Sequence, residues 1–232
     1  MSDDDSLPVS EIFASLQGEG PSVGVPCVFL RLAHCNLRCV WCDTPYTWDW
    51  KRFDRRQQIH PRSTAELVRE IRRLDLPRLV VTGGEPLLHQ DVLAHLVERL
   101  PHDLTIEIET NGTILPNECL QRHVDQWNVS PKLASSGEPE HRRIARSPLA
   151  ALRDTCRAWL KVVVGDPEEL AEAFDLVRST TWPRERVCLM PRGDRRETLR
   201  AVSTWLAPAC LERGFRYSPR LHVELYDGER GR

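Results

Sequence analysis

Three cysteines near the N-terminus have a spacing that suits a metal cluster. Cys35, Cys39 and Cys42 are separated by three and by two residues, in the stretch 34–42 that reads HCNLRCVWC. A short loop with this spacing can direct three thiolates at one face of a cubane iron–sulfur cluster, and such clusters are normally held by four cysteines. Since no fourth cysteine lies nearby, one iron would keep an open position where a small molecule can bind. The spacing therefore predicts a cluster that takes part in chemistry.

Two other uses of this cysteine cluster remain open on the sequence alone. A structural zinc ion requires four ligands, and His34 is adjacent to Cys35 and badly placed to complete a tetrahedron. A thioredoxin-like redox pair could use Cys39 and Cys42 as a CxxC motif, but that leaves Cys35 without a role. The remaining cysteines are interpreted as small buried hydrophobic residues: Cys27, Cys119, Cys156, Cys188 and Cys210.

Length and composition limit the classes of protein that this chain can represent. Its 232 residues are enough for one α/β domain over 1–232 with a large core, and 41% hydrophobic and 28% charged residues are ordinary for a globular protein. A formal net charge of −2 argues against a nucleic-acid binder. No apolar run approaches the roughly 20 residues that span a membrane. The acidic N-terminus lacks the pattern of a secretory signal, which predicts a cytoplasmic protein.

Apolar residues recur with periods that predict strands alternating with helices. The predicted strands are 27–32, 78–82, 104–109, 126–130, 159–164, 187–190 and 220–225. One helix is predicted to begin at the capping box at 63–66. Further helices are predicted at 92–100, 167–178 and 195–211. Strands that alternate with helices are typical of right-handed crossovers and a mostly parallel sheet.

Polar or glycine-rich stretches follow five of the predicted strands. Ligands of such sheets bind beyond the carboxyl ends of the strands, so we expect these stretches to form one shared site: 34–43, 83–86, 110–112, 130–132 and 191–194. The segment 134–148 is rich in Ser, Glu and Arg, and we expect it to be a polar surface loop with partial disorder.

The cysteine loop and a second motif together resemble the radical S-adenosylmethionine (SAM) superfamily. Trp41 is the aromatic residue that precedes the last cysteine, and residues 82–86 read TGGEP, where glycines let the backbone approach a ligand closely. The resemblance implies a partial (β/α) barrel, a 4Fe-4S cluster on the three cysteines, and SAM as a second cofactor.

Further motifs resemble the 7-carboxy-7-deazaguanine synthase family more closely. They are SLQGEG at 15–20, FLR at 29–31, CDT at 42–44, ETNG at 109–112 and SPK at 130–132. The resemblance implies a lyase that converts 6-carboxy-5,6,7,8-tetrahydropterin to 7-carboxy-7-deazaguanine with loss of ammonia, on the route to queuosine and other deazapurines. It also implies a Mg²⁺ ion, an external flavodoxin-like one-electron donor and a homodimer.

The same resemblance implies roles for individual residues. The pterin substrate would contact Leu16, Gln17, Gly18, Glu19, Arg31 and Thr82. SAM would contact Gly84, Glu85, Ser130, Pro131, Lys132, Met190, Pro191, Arg192 and Gly193. Glu109 and Asn111 are further candidates. Thr44 would bind Mg²⁺, although Asp43 is the more obvious ligand because Mg²⁺ prefers charged oxygens.

Two other functions are compatible with a three-cysteine loop in a chain of this length. An activase for a glycyl-radical enzyme also pairs a three-cysteine loop with a short chain, but its partner is a protein and needs no pterin-sized pocket. A non-catalytic iron–sulfur protein would need neither SAM motifs nor an open iron. Arg31, four residues before Cys35, and the motif at 17–20 favour a small-molecule substrate.

Overall fold

A computed structural model describes residues 5–231 of the chain. Residues 1–4, which contributed to the prediction of a cytoplasmic location, lie outside the described residues. Within 5–231 the strands are β1 (Ser6–Leu16), β2 (Pro26–Leu32), β3 (His60–Ser63), β4 (Arg78–Gly83), β5 (Thr105–Thr110), β6 (Gln126–Val129), β7 (Ala158–Val164), β8 (Val187–Pro191) and β9 (Arg216–Tyr217). The helices are α1 (Arg55–Gln58), α2 (Thr64–Leu74), α3 (Gln90–Val97), α4 (Glu118–His123), α5 (Glu140–Arg143), α6 (Arg146–Asp154), α7 (Pro167–Ser179), α8 (Arg196–Arg213) and α9 (Leu221–Tyr226).

The strands form one open sheet in the order β3-β1-β2-β4-β5-β6-β7-β8-β9. Pairing is parallel from β2 to β9, and β1 is antiparallel to both β2 and β3. This confirms the predicted α/β fold with a mostly parallel sheet that does not close. Strands covered on both faces read as continuous apolar runs, and Leu79, Val80 and Val81 of β4 are accordingly all buried.

Sequence signals at the helix ends act as predicted. The Ser63 hydroxyl accepts the Glu66 N–H at 3.3 Å, and the Glu66 carboxylate accepts the Ser63 N–H at 2.9 Å, which completes the capping box of α2. Leu67 and Ile71 then lie one turn apart on the buried face of α2. No helix within residues 5–231 is long and apolar enough to cross a membrane.

The strand predicted at 220–225 is wrong. The chain pairs with β8 earlier, through β9, and then turns into the helix α9. The Leu221 N–H donates to the Gly18 carbonyl at 2.9 Å, so the segment packs against the loop after β1 instead of extending the sheet. The antiparallel strands β1 and β3 were not predicted, because Pro8 and Pro61 interrupt patterns in which few apolar residues alternate.

The segment 134–148, predicted to be a polar surface loop with partial disorder, lies largely at the surface but is folded, so that prediction is wrong about its local structure. It forms a 3-10 turn at Ala134–Ser136, then α5 and the first turn of α6. Its polar residues were interpreted as solvated, yet Glu138 and Arg143 are buried with partners. Arg143 donates to the Lys132 carbonyl at 2.9 Å and pairs with Glu172 at 2.8 Å.

Candidate active site

A cavity of about 940 Å³ opens at the carboxyl ends of the parallel strands. Each of the parallel strands β2, β4, β5, β6, β7 and β8 contributes residues near or just beyond its end, as the positions of the polar motifs predicted. The cavity reaches from the cysteine loop on one side to α9 and residues 227–231 on the other. Its size is that of a site for a cofactor and a small substrate together.

The three cysteines of the loop after β2 all line this cavity. The Leu37 N–H points at the Cys35 sulfur at 3.5 Å, and the Trp48 indole N–H points at the Cys42 sulfur at 3.3 Å. Burial raises the pKa of the Cys35 thiol to about 12, so binding of iron would have to displace its proton. Three thiols on one cavity wall, with N–H donors directed at sulfur, fit a cluster held by three cysteines.

A single metal ion fits this loop less well. Within residues 5–231, no three side chains of His, Cys, Asp or Glu are arranged to hold one ion. A cluster needs no such convergence, because each thiolate binds a different iron atom. The zinc alternative is therefore disfavoured by the arrangement of the side chains themselves.

The glycines after β4 pack directly against the cysteine loop. An added Cβ at Gly84 would lie 2.0 Å from the carbonyl oxygen of His34, and one at Gly83 would lie 2.0 Å from that of Leu32. The Glu85 N–H donates to the same His34 carbonyl at 2.8 Å. His34 itself has a positive φ of 72°, so the backbone turns sharply where it enters the loop. The two motifs form one packed unit.

The opposite end of the cavity is a network of buried charges. The Lys161 ammonium group lies 2.5 Å from a Glu19 oxygen and 3.1 Å from a Glu109 oxygen. The Thr82 hydroxyl donates to Glu109 at 2.8 Å, and Arg220 donates to Glu19 at 3.2 Å. Burial alone would raise the pKa of the Glu19 carboxyl, but the attraction of Lys161 and Arg220 outweighs it, and that pKa is well below its usual range. The network thus holds the Glu19 carboxylate ionised.

Comparison with known proteins identifies the family of this chain. The model of the radical SAM superfamily matches residues 31–202. The 7-carboxy-7-deazaguanine synthase of Pyrobaculum aerophilum is 38% identical over 97% of this chain and 96% of its own. That of Halobacterium salinarum is 37% identical over 97% of this chain and 92% of its own. The chain belongs to the 7-carboxy-7-deazaguanine synthase family of radical SAM proteins.

A solved structure of this kind supports the assignment. The crystal structure of QueE from Escherichia coli has a TM-score of 0.71 and 27% sequence identity, and the match covers 94% of this chain and 95% of that one. The family membership that the cysteine loop and the TGGEP motif predicted is therefore confirmed, and so is the open barrel that it implied.

Most residues that the family resemblance named do line the cavity. They are Leu16, Gln17, Gly18, Glu19, Arg31, Thr44, Thr82, Gly84, Glu109, Asn111, Ser130, Lys132, Met190, Arg192 and Gly193. Three others, Glu85, Pro131 and Pro191, do not. The Glu85 carboxylate is fully buried, where it accepts the N–H groups of Leu87 at 3.1 Å and Asn111 at 2.7 Å. Its side chain holds the loops behind the cavity instead of facing a ligand.

Arg31 lines the cavity and is oriented by an acid on the neighbouring strand. Its Nε–H donates to Glu11 at 2.7 Å. Glu11 also accepts from the Tyr46 hydroxyl at 3.0 Å and from Arg230. The guanidinium group is thereby held by one nitrogen at the end of β2. A carboxylate in the cavity would meet a preoriented fork of donors.

The side chain of Gln17 is used within the protein. Its amide N–H group donates to Glu107 at 2.6 Å, and its amide oxygen accepts the Glu19 N–H at 3.2 Å. Glu107 is fully buried and also accepts from Ser22 at 2.6 Å and from Arg78 at 2.7 Å. Gln17 therefore shapes the loop after β1 through its side chain.

Sequence reasoning missed Lys161 and Arg220. Lys161 had a signal, since it is the charged residue of the otherwise apolar strand AWLKVVV, and a buried lysine requires a partner. Arg220 had none, because it stands among other polar residues after β9. In the structure it joins three elements: it donates to Glu19, to Asp43 of the cysteine loop and, at 2.7 Å, to the Gly193 carbonyl.

Proposed function

We propose that this protein is a 7-carboxy-7-deazaguanine synthase. It converts 6-carboxy-5,6,7,8-tetrahydropterin to 7-carboxy-7-deazaguanine with loss of ammonia, a carbon–nitrogen lyase reaction on the route to queuosine or another deazapurine. The observation that supports this most is the single cavity, in which three thiols lie at one end and a network of paired carboxylates and cations lies at the other.

At the thiol end, Cys35, Cys39 and Cys42 would hold a 4Fe-4S cluster. Bound there, such a cluster with one open iron supplies an electron to SAM. The residues proposed to hold SAM are Gly84, Ser130, Lys132, Met190, Arg192 and Gly193, all of which line the cavity. Glu85, Pro131 and Pro191 support them from outside its wall.

At the charged end, the chain would bind the pterin by complementarity. Arg31 would grip the substrate carboxylate with parallel hydrogen bonds. Glu19 and Glu109, which both pair with Lys161, are acceptors for the N–H groups of the pterin ring. The backbone of residues 16–18 and the side chain of Thr82 complete the wall, and a site built to bond a substrate in this way excludes analogues that lack the groups.

For Mg²⁺ we propose Thr44 as the protein ligand. Its hydroxyl lies 3.8 Å from the Cys42 sulfur on the cavity wall. The alternative, Asp43, already pairs with Arg220, which leaves its carboxylate less able to bind a cation. Mg²⁺ takes few protein ligands and keeps several waters, so the substrate carboxylate would supply the anionic oxygen.

The Mg²⁺ role is tested with Thr44→Val, which keeps the shape and removes the oxygen, and with Thr204→Val as the control, because Thr204 is exposed on α8 and does not line the cavity. We expect the Thr44 variant to need more Mg²⁺ for activity, with the cluster intact, and the control to need no more than the wild type. An unchanged Mg²⁺ response in Thr44→Val would instead point to Asp43.

The proposal includes three features taken from the family resemblance. An external one-electron donor of the flavodoxin type would reduce the cluster, two chains would form a homodimer, and the enzyme would work in the cytoplasm. Size-exclusion chromatography with light scattering measures the second of these directly.

The function is tested with anaerobically reconstituted protein, dithionite, SAM, Mg²⁺ and the carboxytetrahydropterin. We expect release of 5′-deoxyadenosine together with 7-carboxy-7-deazaguanine. Release of 5′-deoxyadenosine without conversion of the pterin would favour the activase alternative. No release at all, with the cluster present, would favour the non-catalytic iron–sulfur protein.

A further inference from the structure

The segment Ala134–Arg143, called the clasp here, lies directly on the cysteine loop. The Arg38 N–H, between the first two cysteines, donates to the Glu138 carboxylate at 2.5 Å. The Val40 N–H, between the last two, donates to the Ser136 carbonyl at 3.0 Å. The clasp therefore holds the loop backbone in both of the intervals that separate the cysteines.

Two further hydrogen bonds extend the contact to both ends of the loop. Arg142 donates to the Asn36 carbonyl at 2.7 Å, and the Trp41 indole N–H donates to the Ser135 hydroxyl at 3.3 Å. Val40 packs closely over Gly137: a Cβ added at Gly137 would lie 3.0 Å from a methyl group of Val40. The contact thus runs along the whole loop, from residue 36 to residue 41.

Glu138 lies at the centre of this contact, and of the clasp side chains that make it, Glu138 costs the most free energy to bury. Its side chain is 5% exposed and pairs with Arg142 at 3.3 Å. Burying a carboxylate is unfavourable unless it is paired and hydrogen-bonded, and a neutral side chain could accept one N–H at lower cost. A charged acceptor, however, makes a shorter and stronger bond. The position is thus specialised for a firm grip on one backbone amide, that of Arg38.

We propose that Glu138 is a positioning residue for the cluster. By holding the Arg38 amide it keeps the backbone between Cys35 and Cys39 in the shape that presents both thiols to the cavity. The proposal rests on the proposed function only in assigning the cluster to these cysteines. Its consequence is that the loop retains iron through a side chain about 100 residues away in sequence.

Two substitutions separate the hydrogen bond from the charge. Glu138→Gln keeps the length and an acceptor oxygen but removes the charge, whereas Glu138→Asp keeps the charge but is one methylene too short to reach. Glu70→Ala is the control, because it removes a carboxylate that pairs with Arg62 at 2.7 Å on a helix outside the cavity. The full chain is reconstituted anaerobically in each case.

The measurements are the rate at which iron is released to a chelator, the electron paramagnetic resonance spectrum of the reduced cluster, and the Tm of the iron-free protein. We expect Glu138→Asp to release iron about tenfold faster, which corresponds to about 1.4 kcal/mol, with a changed spectrum. Glu138→Gln keeps an uncharged acceptor and hence a weaker bond, so it should release iron at a rate between those of the Asp variant and the wild type, and Glu70→Ala should release it at the wild-type rate.

Three results would overturn the proposal. Glu138→Asp could hold iron as firmly as the wild type, Glu138→Gln could lose it as fast as the Asp variant, or the loss could follow the Tm in all variants including the control. The proposed function is tested separately, because a wild-type protein that retains iron but releases no 5′-deoxyadenosine would disprove that function and leave the role of Glu138 standing.

Discussion

At the thiol end of the cavity the three thiols come from residues 35–42, whereas at the charged end the side chains come from strands and loops far apart in the chain. Glu19 and Arg220 are 201 residues apart, and Lys161 and Glu109 are 52 apart. The thiol end is shaped by backbone hydrogen bonds. The charged end is already satisfied by its own ion pairs. A metal cluster would complete the first, but the second is held together by the fold alone.

This difference decides what each end depends on. Metal binding supplies the free energy that orders a thiolate site, so loss of one thiol should affect the ligand more than the fold. Buried ions depend on each other, because an uncompensated charge in the interior is strongly destabilising. Loss of one ion should therefore affect the fold as well as the ligand.

The largest effect is expected at the thiol end. Cys39→Ala should remove the absorbance of the cluster and abolish activity, with a Tm of the iron-free protein close to that of the wild type. Cys210→Ala is the control, since this cysteine is buried in α8, far from the cavity. If Cys210→Ala removed iron equally well, the assignment of the ligands would be wrong.

Lys161→Met should show the opposite behaviour. It leaves Glu19 and Glu109 without their shared cation and should destabilise the fold by about 3 kcal/mol, at the low end for a broken buried pair because Arg220 still faces Glu19. Chemical denaturation of the iron-free protein measures this. Lys51→Met, at an exposed position, is the control. If the two variants were equally stable, the charged end would not depend on its ion pairs for stability, and the proposed difference between the two ends would be contradicted.

Arg31→Ala tests whether the charged end of the cavity binds the substrate. It should leave cluster and SAM binding intact and weaken substrate binding by about 2–5 kcal/mol, as for other buried charged contacts. Glu11 keeps Arg230 as a partner in this variant, so the fold should be affected little. Equilibrium binding of the carboxypterin measures the change, and an unchanged affinity would contradict the proposed pose.

The smallest effect concerns pH. The pKa of Glu19 in the folded protein lies below its ordinary value of 4.5, so in the interval between the two the unfolded chain binds a proton that the folded protein does not. The free energy of unfolding should therefore fall as the pH drops below about 4.5. Glu19→Gln should flatten this slope. A wild-type slope in that variant would show that other carboxyls are responsible.

The same contrast explains which parts could be predicted from the sequence. Thiol spacing, glycines and strand periodicity are local patterns, so the strands β2 and β4 to β8 could be predicted, and so could the position of the three cysteines beside one cavity. The partners of Lys161 and Arg220 could not, because an ion pair between distant strands leaves no local pattern. For the same reason the polar segment at 134–148 is expected from its sequence to be a surface loop with partial disorder, although Glu138 and Arg143 within it are buried and paired.

The fold of the last segment shows a second limit. Residues 220–225 contain apolar residues that alternate in the manner of a strand, but the edge of β8 was already occupied by β9. Tertiary context overrides local preference in such short segments. Arg220 lies where the chain turns from β9 into α9. Its side chain links Glu19, Asp43 and the Gly193 carbonyl.

The close packing of Gly84 against the carbonyl of His34 has a consequence for protein design. A designer who transfers residues 34–42 to another scaffold transfers the thiols but not the surface on which the loop rests. An ordinary residue at the position of Gly84 would place its Cβ where that carbonyl lies, so the graft would be pushed away from the sheet. The smallest transferable unit is therefore discontinuous in sequence, with the cysteine loop, the two glycines and the clasp taken together.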